Sequence, residues 1–121
     1  NYLNLLKLTN QALELKSPYY KNHSKIVQIV SVEIAKSLFL SQEDIEAISL
    51  GAELHDIGMV GDLTSLLEKN KLENKEIDLI KKHPLIGGIM VEPISHIYNI
   101  TDIIKYHHER FDGKGYPFGL E

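Results

Sequence analysis

The sequence predicts an all-α domain. Apolar residues recur three and four positions apart along most of the chain, and no segment alternates apolar and polar residues as a strand does. Ser, Thr, Pro and Gly interrupt this pattern at points where helices commonly begin or end. The chain has 121 residues, 43% of them hydrophobic and 25% charged, which suits one globular domain and is too short for two.

The first two predicted helices fill residues 2–40. Residues 2–16 carry a loose apolar stripe, and Ser17-Pro18 is typical of a helix start, with a hydroxyl cap before a proline. The helix after it is expected to run through Leu40. Its apolar residues fall on one side and predict one broad buried face, made of Ile26, Val27, Val30, Ile34 and Leu38.

The remaining helices are shorter. Ser41 is a predicted N-cap, with acidic residues in the first turn, for a helix that continues to about Ile57. Two further helices are expected over 75–82 and 84–91. Thr101 is a predicted cap for a last helix over 102–108, and a glycine-rich loop follows from Glu109.

Composition excludes several classes of function. The net charge is −4, with 17 acidic and 13 basic residues, so we expect no binding to duplex nucleic acid. No apolar run approaches the roughly 18 residues of a membrane span, and we expect no membrane contact within this segment. The chain has no cysteine, which excludes disulfides and thiolate ligands and agrees with a cytoplasmic location. It begins with Asn1, and we expect it to be part of a longer protein.

Histidines next to carboxylates mark the candidate chemistry. His55-Asp56 follows a helix that is apolar on several faces, so both side chains are expected to be nearly buried, and a cation would compensate both. The alternative is an aspartate that caps a helix beside a core histidine. Before the glycine-rich loop stands His107-His108-Glu109, which suits a divalent iron, manganese or zinc ion. The alternative there is a solvated helix end.

The combination of these residues resembles the HD superfamily of metal-dependent phosphohydrolases. The matching residues are each expected on a different helix, and they are His23, His55-Asp56, His83 and His107-His108. The run HHERFDGKGYP from His107 to Pro117 is similar to the signature of the HD-GYP subfamily, and His83-Pro84-Leu85-Ile86-Gly87 matches its HPxxG motif. The resemblance covers the chain from about Ser17 to its end.

The resemblance implies an HD-type helical bundle with a metal centre in its core and hydrolysis of cyclic di-GMP by metal-activated hydroxide. It implies two divalent ions, iron or manganese rather than zinc, although histidine and carboxylate ligands suit all three. Both ions would be bound by Asp56, as a bridge. His23 and His55 would complete one site with a final aspartate beyond Glu121, and His83, His107 and His108 would complete the other.

The loop after the paired histidines is the expected substrate or partner contact. Gly113 and Gly115 would allow positive φ, and Pro117 would stiffen the exit. Tyr116 would either stack on a base or dock a partner such as a diguanylate cyclase or another signalling domain, or else pack against the bundle. Arg110 would pair with Asp112 or contact a phosphate. His96 matches no part of the pattern.

Three departures from the family pattern leave alternatives open. Met59 stands where the family has a lysine that contacts phosphate, Tyr19 stands where members with a third metal have a glutamate, and the chain ends before the last ligand. The enzyme interpretation therefore competes with a degenerate HD-GYP module that binds or regulates without turnover. An HD hydrolase of another nucleotide is a third alternative, which the Gly115-Tyr116-Pro117 run disfavours.

Overall fold

The protein is described here by a computed structural model of residues 1–16, 22–61 and 63–120. These residues contain no strand, which confirms the all-α prediction. The helices are α1 (Tyr2–Leu15), α2 (His23–Ser37), α3 (Gln42–Leu54), α4 (Leu63–Leu66), α5 (Asn74–Ile80), α6 (His83–Val91) and α7 (Thr101–Tyr106). Two 3₁₀ helices span Ile57–Met59 and Glu92–Ile94. In the described ranges, no helix is long and apolar enough to cross a membrane.

The hydrophobic core lies where α1, α3, α6 and α7 meet. Its buried members are Leu6, Leu54, Ile57, Val91, Ile94, Ile100 and Ile104. Helix α6 packs against α7 and against the first 3₁₀ helix, and α2 packs mainly against α3. This packing brings the C-terminal ends of α3 and α7 and the N-terminal end of α6 to one side of the core.

Local signals set some helix boundaries and mislead about others. Ser41 caps α3 as predicted, since its Oγ accepts a hydrogen bond of 3.1 Å from the Asp44 amide. The Thr101 cap is wrong, because Ile100 occupies the cap position and Thr101 lies inside α7. Helix α3 ends at Leu54, earlier than expected. The predicted helix start at Ser17-Pro18 lies outside the described residues, and so does Tyr19.

The expected buried face of α2 is wrong. Ile26, Val30, Ile34 and Leu38 are exposed to 59%, 51%, 56% and 65%. The helix faces α3 with other residues: Ser24 and Ala35 are buried, and Gln28 donates to the Ser49 carbonyl at 3.1 Å. Periodicity identifies an apolar face, but only tertiary contacts decide whether that face is covered.

Gly58 lets the first 3₁₀ helix lie directly on the start of α6. A Cβ atom at position 58 would clash with the His83 carbonyl oxygen and would lie 2.7 Å from the Gly87 amide nitrogen. Both obstacles are backbone atoms, which cannot move aside as a flexible side chain can. The close approach brings the chain segment after His55-Asp56 against the segment that begins with His83.

We predict that Gly58→Ala lowers the free energy of unfolding by about 3 kcal/mol or more, because overpacking against backbone forces the helices apart. The matched control is Gly88→Ala. The atoms nearest to a Cβ at position 88 belong to the Lys105 side chain, at 3.6 Å or beyond, so this variant should be neutral or slightly stabilised. Urea unfolding of both variants measures the difference, and equal stabilities would contradict the packing described here.

Candidate metal centre

Five histidines and one aspartate converge on one side of the core. They are His23, His55, Asp56, His83, His107 and His108. His23 begins α2, His55 and Asp56 follow α3, His83 begins α6, and His107 and His108 follow α7. The sixth histidine, His96, is exposed and lies outside this cluster.

The Asp56 carboxylate lies between two pairs of imidazoles. Its Oδ2 atom is 3.2 Å from Nε2 of His55 and 3.5 Å from Nε2 of His23. Its Oδ1 atom is 3.1 Å from Nε2 of His83 and 3.3 Å from Nε2 of His107. Each carboxylate oxygen therefore faces a different pair of histidines.

Helix ends fix the direction of three of these rings. Nδ1 of His55 donates to the Ala52 carbonyl at 2.7 Å, Nδ1 of His83 to the Ile80 carbonyl at 2.6 Å, and Nδ1 of His107 to the Ile104 carbonyl at 2.6 Å. In every case the acceptor lies three residues earlier, in the last turn of a helix, where carbonyl groups lack intrahelical partners. A neutral ring that donates from Nδ1 carries its lone pair on Nε2. The three lone pairs therefore point at Asp56 and at one another.

The spacing of the facing histidine nitrogens is compatible with a bound cation. Nε2 of His83 is 3.2 Å from Nε2 of His107, and Nε2 of His23 is 3.3 Å from Nε2 of His55. Two facing lone pairs at such distances repel unless a proton or a metal ion lies between them. Ligand atoms about 2.1 Å from one ion are about 3 to 3.5 Å apart at ordinary bond angles. The observed spacings match that geometry, so the residues fit a divalent metal ion.

The candidate ligand atoms form two groups that share Asp56. The first group is His23, His55 and Asp56, and the second group is Asp56, His83, His107 and His108. Within each group the candidate ligand atoms all lie within 4.8 Å of one another. Histidine nitrogen and carboxylate oxygen suit divalent iron, manganese and zinc.

The electrostatics of the centre keep Asp56 ionised. Burial alone would raise the pKa of Asp56, but in the metal-free centre His107, His55 and His83 hold that pKa far below its usual range, because Nε2 of each ring then carries a proton and donates a hydrogen bond to the carboxylate. Burial of the His55 ring disfavours its imidazolium form, yet the hydrogen bond and the charge of Asp56 outweigh that effect and raise the pKa of His55. The centre thus contains a buried anion that a metal ion would neutralise.

Tyr116 covers the centre beside His108. The two rings are stacked, with centroids 4.6 Å apart and planes 16° apart, and the Tyr116 amide donates to the His108 carbonyl at 3.2 Å. Lys81 Nζ lies 5.6 Å from the centroid of the Tyr116 ring. Burial, followed by the neighbouring His107 and His83, lowers the pKa of His108 to about 4, so His108 is neutral at pH 7. One face of the Tyr116 ring therefore packs against His108.

The loop that follows Glu109 forms a compact turn held by local contacts. Arg110 pairs with Asp112 at 2.7 Å, which is the ion pair expected from the sequence. Gly113 has φ of 75°, as predicted, but Gly115 does not have a positive φ. Position 115 instead needs glycine because a Cβ would clash with the Arg110 amide nitrogen and the His108 carbonyl. Pro117 follows a cis peptide bond.

Sequence reasoning missed the role of Glu109. Its carboxylate turns to the loop, where Oε1 accepts from the Phe118 amide at 2.6 Å and Oε2 accepts from the Leu120 amide at 2.9 Å. Glu109 therefore fastens the loop over the centre instead of joining the ligand groups. Its position beside two histidines gave no signal of this, because the two amides lie 9 and 11 residues further along the chain.

Met59 is fully buried in the first 3₁₀ helix. It lines a cavity of about 210 Å³ together with Leu13 of α1, Lys16 directly after α1, and Thr64 of α4. A lysine at this position would have to extend its ammonium group out of the core to reach a substrate. Met59 itself supplies no charge.

The chain belongs to the HD domain family, whose family model matches residues 7–121. This agrees with the helical fold and with the two groups of candidate histidine and aspartate ligands that share Asp56. It confirms the resemblance seen in the sequence.

Several curated relatives carry names that specify an activity. The chain is 34% identical over 110 residues to a cyclic di-GMP phosphodiesterase of Pseudomonas aeruginosa, covering 89% of this chain and 27% of that protein. It is 33% identical over 120 residues to a cyclic di-GMP phosphodiesterase of Thermotoga maritima. This match covers 97% of this chain and 33% of that protein. It is 32% identical over 109 residues to a 3'3'-cGAMP-specific phosphodiesterase of Vibrio cholerae. This match covers 89% of this chain and 24% of that protein. The chain thus spans about a quarter to a third of the length of these relatives.

We predict that His83→Ala lowers the affinity for Mn²⁺ by more than about tenfold, since even residues that only orient metal ligands are worth about 10- to 100-fold. His96→Ala is the matched control, because His96 is an exposed histidine outside both groups. Calorimetric titration of the folded, metal-free proteins measures both affinities. Equal losses in the two variants would contradict the assignment of His83 as a ligand.

Metal affinity should also fall as the pH drops through about 6.5, the ordinary pKa of histidine, because the ligating nitrogens must be unprotonated. Protons and metal ions compete for the same Nε2 lone pairs, so affinity is highest above this range and declines below it. Titrations with Mn²⁺ between pH 8 and pH 5 test this. A flat profile would mean that carboxylates alone bind the metal.

Proposed function

We propose that this chain is the HD-GYP domain of a metal-dependent phosphodiesterase that hydrolyses cyclic di-GMP. The observation that carries the proposal is the Asp56 carboxylate, whose two oxygens face different pairs of histidines at 3.1–3.5 Å. That geometry favours two metal ions with Asp56 as the bridge. The names of the relatives from Pseudomonas aeruginosa and Thermotoga maritima support the substrate.

Each part of the centre has a distinct role in this proposal. When bound, a pair of divalent ions would neutralise charge on the phosphodiester and lower the pKa of water. Asp56 stays deprotonated because its histidine neighbours stabilise the anion. The carbonyl groups at the ends of α3, α5 and α7 hold the imidazoles of His55, His83 and His107 in the ligating orientation. Iron or manganese would occupy the centre, since mixed histidine and carboxylate ligands suit both.

The loop over the centre is the proposed contact for substrate and partners. Tyr116 lies at the edge of the centre, and Gly113, Gly115 and Pro117 shape the turn around it. Arg110 and Asp112 are exposed and are available to a signalling domain such as a diguanylate cyclase. We further propose a cytoplasmic location, where such a signalling nucleotide would be turned over.

A binding module without turnover is the second candidate function. Met59 favours it, because this side chain is fully buried and apolar where the family pattern has a phosphate-contacting lysine. A charge-assisted hydrogen bond to phosphate is worth about 1.5–3 kcal/mol, so its absence would weaken binding of the transition state by about ten- to a hundredfold. The intact ligand groups favour the enzyme.

The deciding experiment incubates the protein, in its natural length and loaded with Mn²⁺ or Fe²⁺, with cyclic di-GMP and separately with 3'3'-cGAMP. We expect ring opening of cyclic di-GMP to a linear dinucleotide, and chromatography measures the appearance of this product. Asp56→Ala should abolish it, while His96→Ala should retain it. Preferential cleavage of 3'3'-cGAMP would correct the substrate. Tight binding of either nucleotide without cleavage, in protein that holds two ions, would establish the binding module instead.

A further inference from the structure

Two polar residues of α1 reach the base of the first metal group. Asn10 and Glu14 are four residues apart and therefore lie on the same face of the helix. Both contact Ser24, the residue directly after the proposed ligand His23. The activity and the ligand groups do not account for these contacts.

The Glu14 carboxylate caps α2 from another helix. Its Oε1 atom accepts a hydrogen bond of 2.8 Å from the Ser24 amide. That amide belongs to the first turn of α2, where backbone donors lack intrahelical acceptors. The residue at the cap position, Asn22, makes no side-chain cap hydrogen bond. Glu14 thus supplies the acceptor that an N-cap residue ordinarily supplies, and its negative charge suits the N-terminal end of the helix.

The Asn10 side-chain amide connects the two chain segments that carry the first group. Its Nδ2 atom donates to Ser24 Oγ at 3.2 Å and to the Glu53 carbonyl at 3.0 Å. Ser24 is adjacent to His23, and Glu53 stands two residues before His55. Asn10 and Ser24 are each only 3% exposed, so these hydrogen bonds are shielded from water.

His23 depends on its backbone more than the other ligands do. Its side chain is 39% exposed, against 11% for His55, 3% for His83 and 15% for His107. It is also the first residue of α2, and terminal turns of helices fray readily. A hydrogen bond that holds the Ser24 amide therefore restrains the backbone from which the His23 imidazole projects.

We propose that Glu14, assisted by Asn10, is a positioning residue that holds His23 in place for the metal ion of the first group. This inference rests on the proposed two-ion centre. Glu14 touches neither the ligand atoms nor the substrate in this role. It acts mainly through the Ser24 amide, and an amide oxygen at the same distance also accepts that hydrogen bond.

The test is a calorimetric titration of the metal-free protein, in its natural length, with Mn²⁺. His23→Ala and His83→Ala first assign the two binding steps to the first and second groups. Glu14→Ala should then weaken the first step by about 10- to 100-fold and leave the second within about twofold. Glu14→Gln keeps the acceptor oxygen and should bind like the wild type. Glu14→Asp keeps the charge but withdraws the carboxylate, and it should behave like Glu14→Ala.

A matched control removes a carboxylate elsewhere on the same helix pair. Glu33 lies on α2 and pairs with Lys36 at 3.5 Å, about 15 Å along the helix from His23. Glu33→Ala should leave both steps unchanged. Thermal unfolding of the metal-free variants separates a ligand effect from lost stability, and Glu14→Gln and Glu14→Asp remain informative should Glu14→Ala not fold.

Four outcomes would overturn the inference: an unchanged first step in Glu14→Ala, equal weakening of both steps, failure of Glu14→Gln to bind like the wild type, or wild-type metal binding by Glu14→Asp. The last of these would show that the charge alone is sufficient. A wild-type protein that binds fewer than two ions would instead reject the two-ion centre. The two failures are therefore distinguishable.

Discussion

The ionised carboxylate of Asp56, buried among imidazole nitrogens, is the interaction on which the rest of the structure depends. A buried anion is tolerated only where positive charge or hydrogen-bond donors surround it. Here the surrounding nitrogens come from the ends of four helices that are far apart in sequence. The fold must therefore bring α2, α3, α6 and α7 to one point, and a bound metal ion would offset the cost of gathering these side chains.

Helix ends supply much of the required precision. His55, His83 and His107 each donate from Nδ1 to a carbonyl three residues earlier, in the last turn of a helix. The same hydrogen bond satisfies an unpaired carbonyl and selects the tautomer that ligates through Nε2. Gly58 complements this device, because only glycine allows the segment after Asp56 to lie on the backbone of His83.

The sequence predicted the all-α class and the Ser41 cap, because both follow from local patterns. The ligand set proposed from the family resemblance converges in space, since the order and spacing of His23, His55-Asp56 and His83 identify a known arrangement. Other features depend on contacts between distant residues. No local sequence pattern indicates that one apolar face of α2 is exposed. The same holds for the hydrogen bonds of Glu109 to the loop and of Glu14 to the Ser24 amide. Position 115 needs glycine for close packing and not for a positive φ, a distinction that composition cannot make.

The most direct test of this account is a crystal structure of the Mn²⁺-loaded protein with anomalous scattering data. The account predicts two anomalous peaks, one on each side of the Asp56 carboxylate and about 3.5–4 Å apart, as in other two-metal sites. One peak should lie against His23 and His55, and the other against His83, His107 and His108. A single peak, or peaks that do not contact Asp56, would contradict the bridging role from which the proposed function is built.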